Sequence, residues 1–478
     1  MSYETLELLI DGKFRAGGSG EAEAVINPAT EETLTDVPHA NAADLDEALA
    51  AAERGFEIWR RTPALDRQKV INKACDILEA DIDRLAVNLT MEMGKPVFES
   101  KIELQVGIDI LRWYGEEGKR AYGRIVPARA PGVRQLVTKE PLGVATAFVA
   151  WNFPCVNVVR KVGAALGSGC SLIIKPSEET PATAVSIARA FQQAGLPDGV
   201  LNMVFGVPDT VSRHLLGSKV VKKLSFTGSV PVGKHLQKLA AENMIRCTME
   251  LGGHSPVIIF DDADVDAAVN VIGMNKFRNA GQVCISPTRF YVQENAYAKF
   301  VDGFAELANN IKVGNGLDEG VQVGPLVADR RIPVMEGWVQ DAKDHGATVK
   351  SGGERMGNKG YFWKPTVMSD VPEDARIMNE EPFGPVAPVT PFKTMDDVIE
   401  RANKLEFGLA SYVFTTDGKK AMQMSEQINA GLVGVNHPGV STPETPLGGV
   451  NESGYGAEGG IEGLECFLRT KFVTETGV

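Results

Sequence analysis

VATAFVA, at residues 144–150, is an apolar run that lies between Gly143 and Trp151 and has the length of a buried strand. Four comparable runs follow before Gly252: SLIIK at 171–175, VLNMVF at 200–205, KKLSF at 222–226 and RCTMEL at 246–251. Helical stretches such as 181–194 separate them, and this alternation is typical of a parallel α/β sheet. A second alternating region, from Pro256 to about Val435, contains the strand VIIF. The sequence therefore predicts an α/β protein with two such regions.

The composition is that of an ordinary globular protein. Of the 478 residues, 44% are hydrophobic and 23% are charged, which is enough to form the cores of two or three domains. The 49 basic and 62 acidic residues give a net charge of -13, which disfavours nucleic acid and anionic membrane surfaces as partners. No apolar run of the sequence approaches the roughly 18 residues of a membrane span.

The N-terminus and the cysteines predict a cytoplasmic protein. The first residues, MSYETLELLIDGKF, have neither the basic segment nor the apolar core of a secretion signal. The six cysteines include no C-x-x-C pair, so neither a disulfide framework nor a zinc site is predicted. The six histidines have no metal-ligand spacing either. We therefore expect a reducing compartment and no bound metal.

Polar residues follow the five runs, at the sheet edge where open parallel sheets bind their ligands. They are Trp151-Asn152 after VATAFVA, KPSE (175–178) after SLII, Gly206 after VLNMVF, TGS (227–229) after KKLSF and Glu250 after RCTM. An amide, a lysine, two carboxylates and a Gly-Ser turn are thus expected along one rim.

Two glycine-containing segments are similar to nucleotide-binding loops. TGSVPVGKH, at 227–235, nearly matches G-x-x-x-x-G-K-[ST], but its last residue, His235, cannot replace the hydroxyl ligand of Mg²⁺, so a triphosphatase is disfavoured. Ser229 is instead expected to cap a helix that starts near Val230, whose free N–H groups suit a pyrophosphate. GYGAEG, at 454–459, matches G-x-G-x-x-G but follows no predicted strand, and we interpret it as a glycine-rich turn.

Cys284 lies in FRNAGQVCISPTR, after a helical run from Asp264 to Phe277 that would present the thiol at a bend. With its surrounding motifs, the chain resembles the aldehyde dehydrogenase superfamily along essentially its whole length, and most of all the NAD-dependent succinate-semialdehyde dehydrogenases. The six motifs are WNFP (151–154), KPSEETP (175–181), FTGS (226–229), ELGG (250–253), GQVC (281–284) and EEPFGPV (380–386). The resemblance implies a Rossmann-like open parallel sheet for the cofactor, a second α/β catalytic domain and a small β oligomerisation domain.

The resemblance also implies the catalytic residues. Cys284 would attack the aldehyde as a thiolate, and the Asn152 amide and the Cys284 backbone N–H would stabilise the oxyanion. After hydride transfer, Glu250 would activate the water that hydrolyses the thioester, for which a carboxylate of raised pKa is required.

The implied cofactor contacts are spread over several motifs. They are Trp151, Lys175, Glu178, Gly228, Ser229, Leu251, Glu381 and Phe383. Lys175 and Glu178 would bind the adenosine ribose, and Glu178 would repel a 2′-phosphate. We therefore expect NAD rather than NADP, although some relatives with an acid at this position use NADP.

The resemblance further implies a substrate with a distal carboxylate. Arg160 and Arg278 match arginines that clasp this group in succinate-semialdehyde dehydrogenases, and Ser441 matches their substrate-contacting serine. Glutarate semialdehyde, and aromatic or aliphatic aldehydes without a second acid, remain alternatives. The redox-sensing members have a second cysteine where this chain has Ser286, so their disulfide cannot form here.

Two other classes of function are less favoured. A CoA-acylating dehydrogenase would share Cys284 and Asn152, but such relatives lack the glutamate found here at position 250. A non-catalytic structural protein would have lost the nucleophile or the cofactor carboxylates, and this chain has kept them.

The expected domains follow from the same resemblance. The NAD-binding domain comprises 1–122, 142–252 and 453–465, and the catalytic domain covers 253–452. The β-rich segments 123–141 and 466–478 are expected to form the oligomerisation sheet of a homodimer or homotetramer.

Overall fold

The structure, a computed structural model, describes residues 3–477. Its α-helices are α1 (Ala42–Trp59), α2 (Ala64–Ala80), α3 (Ile82–Met93), α4 (Val97–Glu117), α5 (Val156–Ser168), α6 (Ala182–Ala194), α7 (Pro208–Gly217), α8 (Val230–Glu242), α9 (Val265–Phe277), α10 (Glu294–Asn310), α11 (Arg331–Asp344), α12 (Met395–Ala402), α13 (Gly418–Gln427) and α14 (Gly460–Glu465).

The strands alternate with helices between residues 144 and 251, as the sequence predicts, whereas four strands precede the first four helices. They are β1 (Leu8–Ile10), β2 (Lys13–Arg15), β3 (Ala22–Ile26), β4 (Thr33–Pro38), β5 (Arg124–Val126), β6 (Val133–Pro141), β7 (Val144–Phe148), β8 (Ser171–Lys175), β9 (Leu201–Met203), β10 (Val221–Gly228), β11 (Arg246–Leu251), β12 (Ser255–Ile259), β13 (Pro287–Gln293), β14 (Thr348–Ser351), β15 (Thr366–Ser369), β16 (Val386–Phe392), β17 (Phe407–Gly408), β18 (Ala410–Phe414), β19 (Leu432–Val435), β20 (Val450–Asn451), β21 (Gly454–Tyr455) and β22 (Leu468–Thr476).

The five apolar runs form the centre of an eight-stranded sheet with the order β2-β1-β9-β8-β7-β10-β11-β21. The five central strands are parallel, and β1, β2 and β21 extend the sheet with antiparallel pairing. Strands β7 and β8 are buried along their whole length because helices cover both faces. The predicted open parallel sheet is confirmed.

The second alternating region forms a seven-stranded sheet with the order β14-β15-β16-β13-β12-β18-β19. All of its neighbours pair in parallel except β14, which runs antiparallel to β15. Each large sheet has its own hydrophobic core, one centred on β7 to β11 and the other on β12, β13 and β16. The predicted α/β class is therefore confirmed for both regions.

A third sheet, with the order β22-β6-β5, joins the two β-rich segments of the sequence. Strand β22 pairs with β6 over nine residue pairs, from Leu468 with Pro141 to Thr476 with Val133. The shorter pairs β3-β4 and β17-β20 are separate ribbons. Within residues 3–477, no helix is both long and apolar enough to cross a membrane.

Two sequence interpretations need correction. Glu250 lies inside β11 rather than after it. Gly454 and Tyr455, which we interpreted as part of a turn, form β21, which pairs with Glu250 and Met249. This pairing requires glycine, because a Cβ at residue 454, where φ is +105°, would lie 1.9 Å from the Met249 carbonyl oxygen.

Candidate active site

The site begins at a switch point in the eight-stranded sheet. From β7 the chain continues to β8 and β9 on one side, and β10 and β11 lie on the other. The carboxyl ends of β7 and β10 therefore flank a crevice of the kind that holds dinucleotides in open α/β sheets. The predicted residues Trp151 and Gly228 lie at these two strand ends, and Lys175 and Leu251 lie at the carboxyl ends of the neighbouring strands β8 and β11.

The N-terminus of α8 faces this edge. Ser229 occupies the N-cap position as predicted, but within the described chain its exposed side chain makes no capping hydrogen bond. The Gly233 N–H bonds back to the Ser229 carbonyl at 2.9 Å, and Pro231 has no N–H to offer. The remaining N–H groups of the first turn suit a phosphate. His235 lies 2.9 Å from Asp209, away from any P-loop role.

Lys175 and Glu178 form a buried pair beside the crevice. Their charged groups are 2.6 Å apart, and Glu178 also accepts the Gly206 N–H at 3.0 Å. These contacts fix one carboxylate at the end of β8. A fixed carboxylate can accept hydrogen bonds from the two hydroxyls of a ribose.

Trp151 and Phe383 meet at the other side of the crevice. Their rings are 5.4 Å apart in an edge-to-face arrangement. Phe383 has a φ of +43°, and Arg331 donates to the carbonyls of Pro382 and Phe383 at 2.8 and 3.1 Å. The strained backbone is thus held in place, as is common at ligand sites.

Glu381 connects the two large sheets. Its carboxylate accepts the Gly253 N–H at 3.1 Å, and burial raises the pKa of Glu381 to about 7. A Cβ at Gly252 would lie 2.3 Å from the Glu381 carboxylate, so the glycine is required for this approach. With the free turn of α8 for phosphates and Glu178 for a ribose, the crevice fits a dinucleotide.

Cys284 follows a left-handed turn at the end of α9. Asn279, Ala280 and Gly281 have φ values of +48°, +52° and +71°. A Cβ at Gly281 would lie 2.2 Å from the Gly384 carbonyl oxygen, so only glycine fits there. Asn279 and Ala280 are consecutive non-glycine residues with left-handed backbone conformations. This strained geometry must be stabilised by the surrounding residues. The predicted bend before the thiol is therefore a tightly constrained one.

The surroundings of Cys284 favour the protonated thiol. The side chain is half-buried, and burial, with the charges of Glu381 and Glu250, raises the pKa of Cys284 to about 12. The surroundings therefore disfavour the expected thiolate. Attack on a carbonyl requires a base that accepts the thiol proton.

Asn152 lies behind the cavity wall next to the turn that carries Cys284. Its side-chain Nδ2 donates to the Gln282 carbonyl at 3.1 Å, and its Oδ1 accepts from Asn157 at 3.2 Å. Asn279 donates to the Asn152 carbonyl at 2.9 Å. Because a primary amide has two N–H donors, one remains for an oxyanion.

Glu250 is a buried carboxyl group, 4% exposed, that lines the same cavity as Cys284. Neither of its oxygens accepts a hydrogen bond from a described residue. Burial raises the pKa of Glu250 well above its usual value, Glu458 raises it further, and Lys161 and Arg160 oppose this rise. A carboxyl group of this kind suits a general base at neutral pH.

The sequence analysis missed the ion pair behind Glu250. Buried Lys161 contacts Glu458 and also donates to the Thr227 hydroxyl. Glu458 lies in the segment that we interpreted as a turn. Its charge among three glycines and one alanine was the available signal, since an acid in a short glycine-rich segment requires a partner when it is buried.

The predicted substrate residues line one cavity of about 450 Å³ that also contains Cys284 and Glu250. Arg160 donates to the Ser441 hydroxyl at 2.9 Å, and the Arg278 guanidinium lies 5.5 Å from the centre of the Phe153 ring. Arg160 Nη1 and Arg278 Nε are buried and have no partner within the described residues. Guanidinium groups in a cavity that have free N–H donors and no carboxylate partner among the described residues fit an anionic ligand.

One wall of the cavity was not predicted from the sequence. It comes from Lys95 and from the first two turns of α4, and it carries Phe98, Glu99, Ile102 and Glu103. Lys95 forms an ion pair with Glu103 and donates to the Asn152 carbonyl at 3.0 Å. In the sequence these residues have the pattern of an ordinary helix surface, because the cavity forms only when α4 packs against α5 and Glu99 meets the turn after α9.

Comparison with known proteins agrees with this geometry. Residues 14–473 match the family model described as "Aldehyde dehydrogenase family". The chain is 44% identical over 471 residues, 98% of both chains, to 4-(hydroxymethyl)benzenesulfonate dehydrogenase TsaD1 of Comamonas testosteroni. A second relative is GabD of Escherichia coli K12, whose name is succinate-semialdehyde dehydrogenase [NADP⁺]. The two chains are 38% identical over 467 residues, which are 98% of this chain and 97% of the other.

Solved structures agree with the observed fold over the same length. An aldehyde dehydrogenase from Bacillus cereus, determined as its NAD⁺ complex, superposes with a TM-score of 0.96 at 35% identity and covers 99% of this chain and 97% of its own. The family model, both relatives and the superposed structure thus match this chain over almost its whole length. The chain belongs to the aldehyde dehydrogenase family.

Proposed function

We propose that this protein oxidises an aldehyde with a distal anionic group to the carboxylic acid, and that succinate semialdehyde is its substrate. The observation that carries the proposal is the presence of Arg160, Ser441 and Arg278 in the cavity of Cys284. A short dicarboxylic semialdehyde would present its aldehyde to the thiol and its acid to the two guanidinium groups.

The chain's own residues supply the covalent chemistry. Cys284 loses its thiol proton to solvent, Sγ forms the bond to the carbonyl carbon as the C=O π bond breaks, and the second Asn152 N–H and the Cys284 backbone N–H stabilise the resulting oxyanion. A nicotinamide dinucleotide bound in the crevice supplies the hydride acceptor. Glu250 accepts the proton of the water that hydrolyses the thioester, which distinguishes this reaction from acyl transfer to CoA.

An aromatic aldehyde with an acidic group is the second candidate. Phe98 and Ile102, on consecutive turns of α4, line the cavity and remain 49% and 59% exposed. Exposed apolar side chains at a cavity mouth can contact the apolar body of a ligand larger than succinate semialdehyde. The Comamonas relative is named for a benzenesulfonate, whose sulfonate would also fit paired guanidinium groups.

For the cofactor we infer a preference for NAD. Glu178 is held by Lys175 and the Gly206 N–H, and its charge would repel the 2′-phosphate of NADP. The relatives are associated with different cofactors: the Bacillus structure is an NAD⁺ complex, and the Escherichia enzyme is named for NADP⁺. NADP is therefore the alternative cofactor.

The substrate preference and the cofactor preference can both be tested by following the absorbance of the reduced cofactor. With succinate semialdehyde we expect a kcat/KM roughly 10- to 100-fold above that with butanal, which has the same carbon number without the acid, because charged hydrogen bonds are lost. With either aldehyde, kcat/KM should be higher with NAD than with NADP. If 4-formylbenzenesulfonate exceeds succinate semialdehyde, the aromatic candidate is correct. Equal use of butanal contradicts an anion site.

Arg278→Leu tests the anion site directly. We expect the KM for succinate semialdehyde to rise roughly tenfold or more and the KM for butanal to change little. Arg61→Leu, at an arginine that is 77% exposed after α1, is the matched control and should change neither value.

We further infer a homodimer or homotetramer that assembles through the β22-β6-β5 sheet, with the chain divided as the resemblance implies. Ile125 and Phe472 on this sheet are 75% and 56% exposed, which supports a covered surface. Light scattering should give a mass of two or four chains, and a monomeric mass at assay concentration would contradict assembly.

All six cysteines are free, which supports the expected reducing cytoplasm.

A further inference from the structure

Glu99 connects the substrate cavity to the turn that carries Cys284. It lies in the first turn of α4, is half-buried and lines the cavity. Its Oε2 accepts the Asn279 N–H at 3.0 Å. Asn279 is the first residue of the left-handed turn and directly follows Arg278. The carboxyl group thus holds the backbone next to a predicted substrate arginine.

The charged groups that face Glu99 are Lys95, Glu103 and Arg278. Lys95 is already paired with Glu103 and with the Asn152 carbonyl. Arg278 forms no ion pair with a carboxylate among residues 3–477, and its Nε has no partner. Glu99 is therefore the nearby acid that is left to balance Arg278. Burial raises the pKa of Glu99 to about 7, and Lys95 and Arg278 oppose this rise.

We propose that Glu99 is a specificity-determining residue that competes with the anionic end of the substrate for Arg278, so that binding of an acid-bearing aldehyde is coupled to uptake of a proton by Glu99. The inference rests on the proposed function, because it requires an anion at Arg278. Protonated Glu99 still occupies its place beside the Asn279 N–H, but it no longer repels the substrate or attracts the guanidinium.

The direction of the pH effect follows from this competition. Below the pKa of Glu99 the carboxyl group is neutral, and Arg278 is free to bind the anion. As the pH rises through about 7, Glu99 ionises and the KM for succinate semialdehyde should rise, whereas the KM for butanal should not. A rise of roughly tenfold between about pH 6 and pH 8.5 corresponds to a shift of one unit in the pKa of Glu99 on binding.

Glu99→Gln tests the coupling, since the amide oxygen of Gln can still accept the Asn279 N–H. With NAD at saturation, we expect the variant to have a low KM for succinate semialdehyde that no longer depends on pH. The ratio of its KM values for succinate semialdehyde and butanal should be independent of pH. Arg278→Leu should also remove the pH dependence, but with a high KM. A purely structural role of Glu99 would instead alter both aldehydes alike.

Asp109→Asn, the same chemical change on the exposed side of α4, is the matched control and should keep the pH dependence. If the unchanged protein prefers succinate semialdehyde equally at both pH values, or if Glu99→Gln keeps the pH dependence, the coupling is wrong. If butanal is used as well as succinate semialdehyde at both pH values, the proposed function fails, and this inference fails with it.

Discussion

Replacing Cys284 with alanine should abolish aldehyde-dependent reduction of NAD, with kcat/KM falling by a factor of about 10⁴ or more. Alanine cannot form the bond to the carbonyl carbon, and no other described cysteine lines the cavity. The Cys284 side chain is half-buried, so its replacement by alanine should disturb the fold little. The variant should therefore bind NAD and unfold at a temperature close to that of the unchanged protein. Intrinsic fluorescence titration and thermal unfolding measure these two properties.

Cys75→Ala is the matched control, because Cys75 is buried in α2, away from the cavity. It should lose some stability through the small cavity that it leaves and keep its kcat/KM. If Cys284→Ala retains NADH production while Cys75→Ala does not, the assignment of the nucleophile is wrong.

Alkylation by iodoacetamide adds a pH test of the same thiol. Because the pKa of Cys284 is raised to about 12, the thiolate fraction should increase about tenfold per pH unit over the accessible range. The rate of inactivation should follow this increase from about pH 6 to pH 9. A rate that is already constant at about pH 7 would mean that the thiol is ionised at rest.

Much of the fold was predictable because the buried strands of a parallel sheet are continuous apolar runs. VATAFVA and SLIIK needed no knowledge of their neighbours to be recognised, and both form central strands. The ends of strands were less certain. Glu250 is polar and was expected beyond β11, yet it pairs with Gly454 inside the sheet, because β21 covers an edge that the local sequence does not reveal.

The candidate site was predictable where a residue is tied to a local motif, and not where packing creates the environment. Cys284 and Ser229 lie in the short glycine-containing motifs GQVC and FTGS, which can be recognised without knowledge of the rest of the fold. Glu99, Lys161 and Glu458 became visible only when helices and turns distant in sequence came together. The raised pKa of the Cys284 thiol has the same origin, because it depends on burial and on two carboxyl groups from other segments.

The second large effect is expected for Glu250→Gln, which should separate the two halves of the reaction. The variant still has Cys284, so the first turnover should release one NADH per active site in a burst. Steady-state turnover should then fall by about 10²- to 10⁴-fold, because Gln cannot accept the proton of the hydrolytic water. Rapid-mixing absorbance resolves the burst, and intact mass spectrometry should detect the acyl group on the protein.

The stability of this variant provides the control for folding. Glu250 has a raised pKa in the folded chain, so above its unfolded pKa the folded state binds an extra proton, and the stability from this group is lost as the pH rises toward the folded pKa. Gln is neutral at every pH, and the free energy of unfolding of Glu250→Gln should therefore not fall below that of the unchanged protein at alkaline pH. Glu242→Gln, at the exposed end of α8, should leave the burst and the steady state unchanged. Loss of the burst together with the steady state would assign Glu250 to the attack by Cys284, as the base that takes the thiol proton, rather than to hydrolysis.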